Sequence, residues 1–189
     1  MTCIVGWIEN GTVWMGGDSA ASIEYSWQQM ELAETKVFKS GSMIFGICGS
    51  PRMGDILRWS LDIPDHDPRT EDRKYMATTF VDAVRKCFKD GGFAKVDNGV
   101  ERGGLFLVGY KGRIYRIAGD FQVIRVNSDY IAVGCADDVA HGAMFASAEL
   151  GQSVTPQERL SLALRAAERW SAGVRAPFHI ESLEPAKGA

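Results

Sequence analysis

Long apolar runs, paired cysteines and an excess of charge of one sign are all missing from this chain of 189 residues. Its apolar stretches, of which Met43 to Cys48 is a typical one, fall far short of the roughly 20 residues needed to cross a bilayer. The first is interrupted at Glu9 and Asn10, and no basic region precedes it, so we expect no signal peptide and no membrane segment.

The four cysteines are scattered and lack the C-x-x-C spacing that is typical of zinc sites. They also suggest no disulfide framework, so we expect reduced thiols in a cytoplasmic protein, with no metal and no cofactor. The charges are nearly balanced: 21 Lys and Arg against 24 Asp and Glu leave a net charge of −3. This balance predicts no binding to nucleic acid or to an anionic membrane surface.

Apolar residues make up 46% of the chain and charged residues 24%, which is typical of a globular protein with a sizeable core. The length and the lack of repeats, linkers and low-complexity tracts predict one domain over residues 1–189.

The first fifty residues predict two strand hairpins. The segment from Thr2 to Ile8 is apolar on both faces, as expected for a strand covered on both sides. Asn10-Gly11 is a strong turn signal, with Thr12 to Gly17 as the returning strand. Thr35 to Lys39 and Met43 to Cys48 form the second predicted pair.

Helices and further strands follow in alternating groups. Ser50-Pro51 predicts a helix start with Ser50 as N-cap, and a longer helix is expected from Asp72 to Lys89, ending at Gly91-Gly92. Four more strands are predicted at 104–110, 113–118, 122–126 and 130–135. Helices at 138–150 and 156–172 and a strand at 178–183 complete the chain, and Thr155 with Glu158 predicts a capping box.

Hairpins that alternate with helix pairs do not suit a doubly wound parallel sheet, which needs a crossover helix after nearly every strand. They favour the α+β class: a four-layer α/β/β/α sandwich of two antiparallel sheets.

The N-terminus carries residues whose functional groups suit catalysis. An initiator Met is usually excised when a residue as small as Thr2 follows, which leaves Thr2 with a free α-amine. A threonine hydroxyl becomes a useful nucleophile when a base takes its proton, and its own amine, with an ordinary pKa of about 7.7–8.0, is one such base.

The hairpin register predicts what lies beside this amine. With Asn10-Gly11 as a two-residue turn, Cys3 faces Asp18, so Asp18 ends its strand next to Thr2. Lys36 begins the next predicted strand and is the obvious cation to pair with Asp18. Spacing alone leaves open the alternative that Asp18 is a turn residue and Lys36 a solvated charge.

Six segments together resemble the proteasome β-type and HslV-like family of N-terminal nucleophile (Ntn) threonine peptidases. They are Thr2-Cys3-Ile4-Val5-Gly6, Asn10-Gly11, Met15-Gly16-Gly17-Asp18, Lys36-Val37, Gly46-Ile47-Cys48-Gly49-Ser50 and Ile131-Ala132-Val133-Gly134-Cys135-Ala136. The resemblance covers nearly the whole chain, is strongest in the first fifty residues, and implies the Ntn hydrolase fold.

The resemblance implies a role for each matching residue. Thr2 is the expected nucleophile with its amine as general base, and Lys36, paired with Asp18, lowers the pKa of both groups. The backbone N–H of Gly49 stabilises the oxyanion, and Ile47 lines an apolar pocket for the residue before the cleaved bond. Cys135 occupies the place of a serine that supports the amine.

The family also implies partners. We expect identical subunits in a stacked double ring, unfolded proteins or peptides as substrates, and an AAA+ unfoldase ATPase that feeds them.

Two departures from the family pattern support an alternative function, that of a catalytically silent ring subunit with an assembly or scaffold role. Cys135 is a weaker hydrogen-bond partner than the family's serine. The family's Asp near the end of the last long helix is replaced by Glu168 or Arg169.

One segment also resembles part of a second enzyme class. Gly17-Asp18-Ser19 resembles the N-terminal block of GDSL esterases, which also need an Asp-x-x-His pair. The residue three positions before His179 is Ala176, so that pair is missing.

Overall fold

The computed structural model describes residues 1–22 and 28–185. Its strands are β1 (Cys3–Glu9), β2 (Thr12–Gly17), β3 (Ala20–Ser22), β4 (Gln29–Glu31), β5 (Val37–Ser40), β6 (Met43–Cys48), β7 (Lys95–Asp97), β8 (Val100–Arg102), β9 (Leu105–Tyr110), β10 (Arg113–Ile117), β11 (Val123–Arg125), β12 (Tyr130–Gly134) and β13 (His179–Leu183). Its α-helices are α1 (Pro51–Trp59), α2 (Asp72–Tyr75), α3 (Val81–Asp90), α4 (Asp137–Ala148) and α5 (Pro156–Trp170).

Nine strands form two antiparallel sheets. The first sheet has the order β12-β1-β2-β13, and the second has the order β11-β10-β9-β6-β5. Helices α4 and α5 pack on the outer face of the first sheet, and α1 and α3 cover the outer face of the second. The predicted α/β/β/α sandwich is confirmed.

The apolar residues form three layers that follow from strand alternation, because successive side chains point to opposite faces. In β1, Cys3, Val5 and Trp7 face the α4–α5 pair, whereas Ile4 packs between the sheets. The strand is therefore apolar on both faces because both faces are covered, as the sequence predicts.

The register of the β1–β2 hairpin is also confirmed. Ile4 pairs with Gly17 and Glu9 with Thr12 across the Asn10-Gly11 turn. Asn10 and Gly11 both have positive φ, at 51° and 78°, which suits a tight hairpin turn. The pairing is continuous as far as Gly17, so Asp18 follows the end of β2 beside the N-terminus.

The helix ends agree with the sequence in part. Thr155 and Glu158 form the predicted capping box at the start of α5. Ser50 occupies the predicted N-cap position of α1 with Pro51 in the first turn, although its side chain makes no capping hydrogen bond. The single helix expected from Asp72 to Lys89 is interrupted by a π-helical segment, Met76–Phe80, between α2 and α3.

Two short ribbons are missing from the predicted order of elements. β3 pairs with β4, and β7 pairs with β8, each as a two-stranded antiparallel ribbon outside the main sheets. Both ribbons are short and poorly buried, so they carry little of the alternating apolar pattern that marks a strand. Among the described residues, no helix is long and apolar enough to cross a membrane.

Candidate active site

Thr2 immediately precedes β1 and is almost completely buried, with 3% of its surface exposed. Its hydroxyl Oγ1 donates a hydrogen bond to the carbonyl oxygen of Met1 at 2.7 Å. Met1 is 46% exposed. Its side chain packs against Gly173, where an added Cβ would lie only 2.5 Å from the Cβ of Met1. While Met1 is present, the nitrogen of Thr2 is an amide and the hydroxyl has no free amine beside it.

Asp18 directly follows β2, and it is buried beside the start of β1. Its Oδ1 accepts hydrogen bonds from the N–H of Cys3 at 3.0 Å and from Nζ of Lys36 at 2.9 Å. Its Oδ2 accepts from the N–H of Ala20 at 2.9 Å and of Arg175 at 3.4 Å. Four donors therefore fix this carboxylate.

Lys36 immediately precedes β5 and reaches this carboxylate from the second sheet. Its Nζ donates to Oδ1 of Asp18, to the carbonyl oxygen of Ala20 at 2.5 Å, and to the carbonyl oxygen of Met1 at 3.4 Å. All three ammonium donors thus have an acceptor. β5 belongs to the second sheet, whereas β2, which leads into Asp18, belongs to the first, so the pair joins the two sheets.

The pair formed by Asp18 and Lys36 is an internal one, with side-chain exposures of 0% and 4%. Lys36 is therefore no solvated charge. Removing one partner of such a pair leaves an uncompensated buried charge, which typically costs about 3–5 kcal/mol. The fold thus keeps a positive charge beside the Met1–Thr2 peptide.

The end of β12 supports the other side of Thr2. The N–H of Cys135 donates to the carbonyl oxygen of Thr2 at 2.6 Å. Gly134 has a φ of +108°, and a Cβ there would overlap that oxygen. Cys135 therefore contacts Thr2 through its backbone, and a glycine before it is required by both conformation and space.

Ile47 is the second-last residue of β6, and Gly49 lies just beyond the end of that strand. Gly49 has a φ of +105°, and nothing lies within 4 Å of where a Cβ would be, so its backbone borders open space. The N–H of Ile47 donates to the carbonyl oxygen of Lys36 at 2.9 Å, which ties this segment to the lysine. The Ile47 side chain packs directly on Gly54 of α1.

Two contributors to the site are missing from the sequence predictions. Ala20 supplies both a donor for Asp18 and an acceptor for Lys36 through its backbone. Arg175 contributes only its N–H, from the loop after α5. Backbone contacts of this kind leave no residue-type signal in the sequence.

Glu168 and Ser19 have definite structural partners. Oε1 of Glu168 accepts from the N–H of Ala176 at 2.9 Å, so this carboxylate holds the loop after α5. The hydroxyl of Ser19 donates to the carbonyl oxygen of Pro177 at 2.6 Å and is buried. Both side chains therefore hold the segment that follows α5.

Comparisons with known proteins find similarity in structure only. No protein-family model matches the chain, and no curated protein matches its sequence. BPH from Thiobacillus denitrificans superposes with a TM-score of 0.80 at 18% identity, covering 98% of this chain and 99% of that one. HslV from Trypanosoma brucei gives 0.68 at 17% identity, covering 96% and 99%.

A third similar structure is Anbu, an ancestral β-subunit from Yersinia bercovieri, with a TM-score of 0.63 at 13% identity over 97% of this chain and 82% of that one. This chain has the HslV fold. Identities this low establish the architecture, and they leave the chemistry to the residues of the site itself.

Proposed function

We propose that removal of Met1 turns the chain into an N-terminal threonine endopeptidase of the HslV and proteasome type. Oγ of Thr2 attacks the carbonyl carbon of a peptide bond, and the amine half of the substrate leaves. Water then hydrolyses the ester on Thr2 and releases the second half. The observation that carries this function is the buried Lys36 ammonium, which lies within hydrogen-bond distance of the Met1 carbonyl oxygen to which Thr2 Oγ1 also donates.

The α-amine of processed Thr2 is the general base in this scheme. It lies on the same residue as the hydroxyl, so a direct or water-mediated proton transfer needs no other side chain. The nearby Lys36 ammonium favours the neutral, proton-accepting form of the amine. Asp18 holds that ammonium in place and compensates its burial.

The end of β6 supplies the remaining elements. The N–H of Gly49 stabilises the oxyanion of the tetrahedral intermediate, and one well-placed donor of this kind is worth about 3 kcal/mol. Ile47 lines the pocket for the residue before the cleaved bond and gives it an apolar preference. The open space beside Gly49 agrees with the approach of a substrate.

We propose that identical subunits assemble into stacked rings in the cytoplasm. Their substrates are unfolded proteins or peptides, which an AAA+ ATPase delivers to the ring. The fold shared with HslV and with the β-subunit Anbu supports this assembly. Light scattering of the purified chain, alone and with a candidate ATPase, tests the ring and the partner separately.

The decisive experiment uses protein whose intact mass shows complete loss of Met1. It is incubated with a fluorogenic peptide and with Epoxomicin, the compound bound in one BPH structure. We expect peptide cleavage and a covalent mass increase on Thr2. The control is Thr2→Ala, which keeps a small second residue for Met1 removal and should lose both signals.

The alternative is a silent ring subunit, and two observations favour it. Cys135 replaces the serine of the family, and Glu168 is engaged by the N–H of Ala176. Fully processed protein that forms rings but neither cleaves peptide nor gains mass on Thr2 would establish this alternative.

A further inference from the structure

Two cysteines approach Thr2 from opposite sheets. Cys135 follows β12 and donates its N–H to the carbonyl oxygen of Thr2 at 2.6 Å. Cys48 ends β6, and its Sγ would lie 2.8 Å from a Cβ built on Gly134, the residue before Cys135. The Cys48 sulfur therefore lies against the backbone that carries the other thiol.

Electrostatic coupling agrees with this closeness. The pKa of Cys48 is raised to about 11, first by burial and next by the negative charge of the Cys135 thiolate. Lys36 and the chain's α-amine act on the same pKa in the opposite direction. The two thiols are thus within electrostatic range of each other and of the candidate catalytic groups.

The other two cysteines are placed differently. Cys3 is completely buried beneath the α4–α5 pair, so solvent reagents cannot reach it. Cys87 lies on α3, and its Sγ contacts the carbonyl oxygen of Ile56 at 3.9 Å on the far side of the second sheet. Cys48 and Cys135 are each half-buried and beside the nucleophile.

Metal binding does not account for these thiols. Within residues 1–22 and 28–185, no group of three or more His, Cys, Asp or Glu side chains is arranged to hold a metal ion. Two half-buried thiols at the ends of strands from facing sheets are suited instead to thiol–disulfide chemistry, in which access and the closeness of the sulfurs decide the outcome.

We propose that Cys48 and Cys135 form a reversible disulfide that blocks the Thr2 site when low-molecular-weight disulfides accumulate. The Cys135 thiolate attacks one sulfur of the small disulfide, forming a mixed disulfide and expelling one small thiolate. The Cys48 thiol then loses its proton, attacks the Cys135 sulfur and expels the second small thiolate. The protein thiols lose two electrons and two protons, and the small disulfide becomes two thiols.

The consequence for activity rests on the proposed function, whereas formation of the bond does not. Cys48 directly precedes Gly49, whose N–H is the proposed oxyanion donor. Drawing the Cys48 sulfur toward Cys135 displaces that N–H and places the cross-link against the Thr2 carbonyl group. We therefore expect the oxidised protein to be at least tenfold less active than the reduced one.

The test equilibrates the full chain, processed and native, in glutathione buffers from fully reduced to fully oxidised. The protein is then digested in the absence of reductant, and mass spectrometry identifies the cross-linked peptides. We expect a peptide pair joined through Cys48 and Cys135 in wild-type protein and in Cys87→Ser, and none in Cys48→Ser or Cys135→Ser. Peptidase activity, as a fraction of each protein's own reduced rate, should fall in wild type and Cys87→Ser, recover with dithiothreitol, and persist in Cys48→Ser.

Two results would overturn the inference: oxidised buffer that yields no Cys48–Cys135 cross-link in folded wild type, or equal oxidative loss of activity in wild type and Cys48→Ser. A protein that forms the cross-link but never cleaves peptide leaves the thiol chemistry standing and removes the proposed peptidase function. The mass measurement therefore separates the failure of one proposal from the failure of the other.

Discussion

The hydroxyl of Thr2 and the ammonium of Lys36 both bind the carbonyl oxygen of Met1, at 2.7 and 3.4 Å. One atom of the residue to be removed thus occupies the space between the candidate nucleophile and the buried cation. In the function proposed above, loss of Met1 frees both groups at once and creates the amine between them. That change requires no rearrangement of the Asp18–Lys36 pair.

Lys36→Met is expected to remove activity and to destabilise the fold. The substitution leaves the buried Asp18 carboxylate without its cation, which costs about 3–5 kcal/mol in unfolding free energy. Urea denaturation measures this loss. Peptide cleavage under conditions where the variant is still folded should fall at least about a hundredfold, the lower range for a lost proton-transfer or electrostatic contribution.

Lys39→Met, three residues further along the chain in β5, is the matched control. Lys39 pairs with Glu181 at 3.3 Å, but the two side chains are 46% and 48% exposed. A pair in solvent contributes only about 0–1 kcal/mol. If the two methionine variants unfolded at the same urea concentration and cleaved peptide equally well, Lys36 would have no special role.

The sequence predicts the Thr2 and Asp18 neighbourhood because one hairpin creates it. Asn10-Gly11 sets the register of β1 and β2, and the register brings Asp18 to the N-terminus without any long-range information. The position of Lys36 above Asp18 depends on packing between two sheets, and no local pattern encodes that packing. The order of the predicted strands suggested Lys36 as the cation but left a solvated charge equally open, and only the resemblance to known peptidases favoured the pair.

The ribbon of β7 and β8 shows a different limit. Asn98-Gly99 is the same turn signal as Asn10-Gly11, and both residues again have positive φ. The flanking residues are mostly exposed, so they lack the apolar alternation that marks a buried strand. The turn could have been predicted from the sequence, but its strands could not.

Gly134→Ala is expected to disrupt the support of Thr2. A methyl group there would overlap the Thr2 carbonyl oxygen, and the φ of +108° is unfavourable for alanine. Backbone strain of this kind costs about 1–3 kcal/mol, and the displaced Thr2 should lower peptide cleavage further. Thermal unfolding and cleavage rates measure the two effects.

Gly142→Ala serves as the comparison, because nothing lies within 4 Å of a Cβ at that position in α4. Alanine is the better helix former, so this variant should gain up to about 1 kcal/mol and keep full activity. Equal stability of the two alanine variants would show that the space beside Thr2 is not restricted at Gly134.

Gly54→Ala is expected to change substrate preference rather than stability. Its Cβ would overlap Cδ1 of Ile47, the far end of a flexible side chain, which must then turn into the proposed pocket. The KM for peptides with a large apolar residue before the cleaved bond should rise, with little change in kcat. Adding Ile47→Val removes Cδ1 and should restore the KM, whereas a double variant as impaired as Gly54→Ala would separate Gly54 from the pocket.

Cys48 should react slowly with alkylating reagents in the folded protein near neutral pH. Burial and the Cys135 charge raise its pKa from the usual 9.0 to about 11, so its thiolate is scarce. Near pH 8 only about one thiol in a thousand is ionised, and alkylation should quicken about tenfold per pH unit until the pH approaches that pKa. Peptide mapping after timed iodoacetamide pulses measures the rate at Cys48.

The raised pKa of Cys48 also makes the stability of the fold depend on pH. A thiol whose pKa is higher in the folded state stabilises the fold fully below the unfolded pKa and loses that contribution as pH rises through the folded one. The unfolding free energy should therefore decline between about pH 9 and 11, and less so in Cys48→Ala.

Lys36 lowers the pKa of Cys48, so Lys36→Met should slow alkylation of Cys48 further. Rapid alkylation of folded wild type near pH 8, matching that of the urea-unfolded chain, would contradict this account of the site's electrostatics.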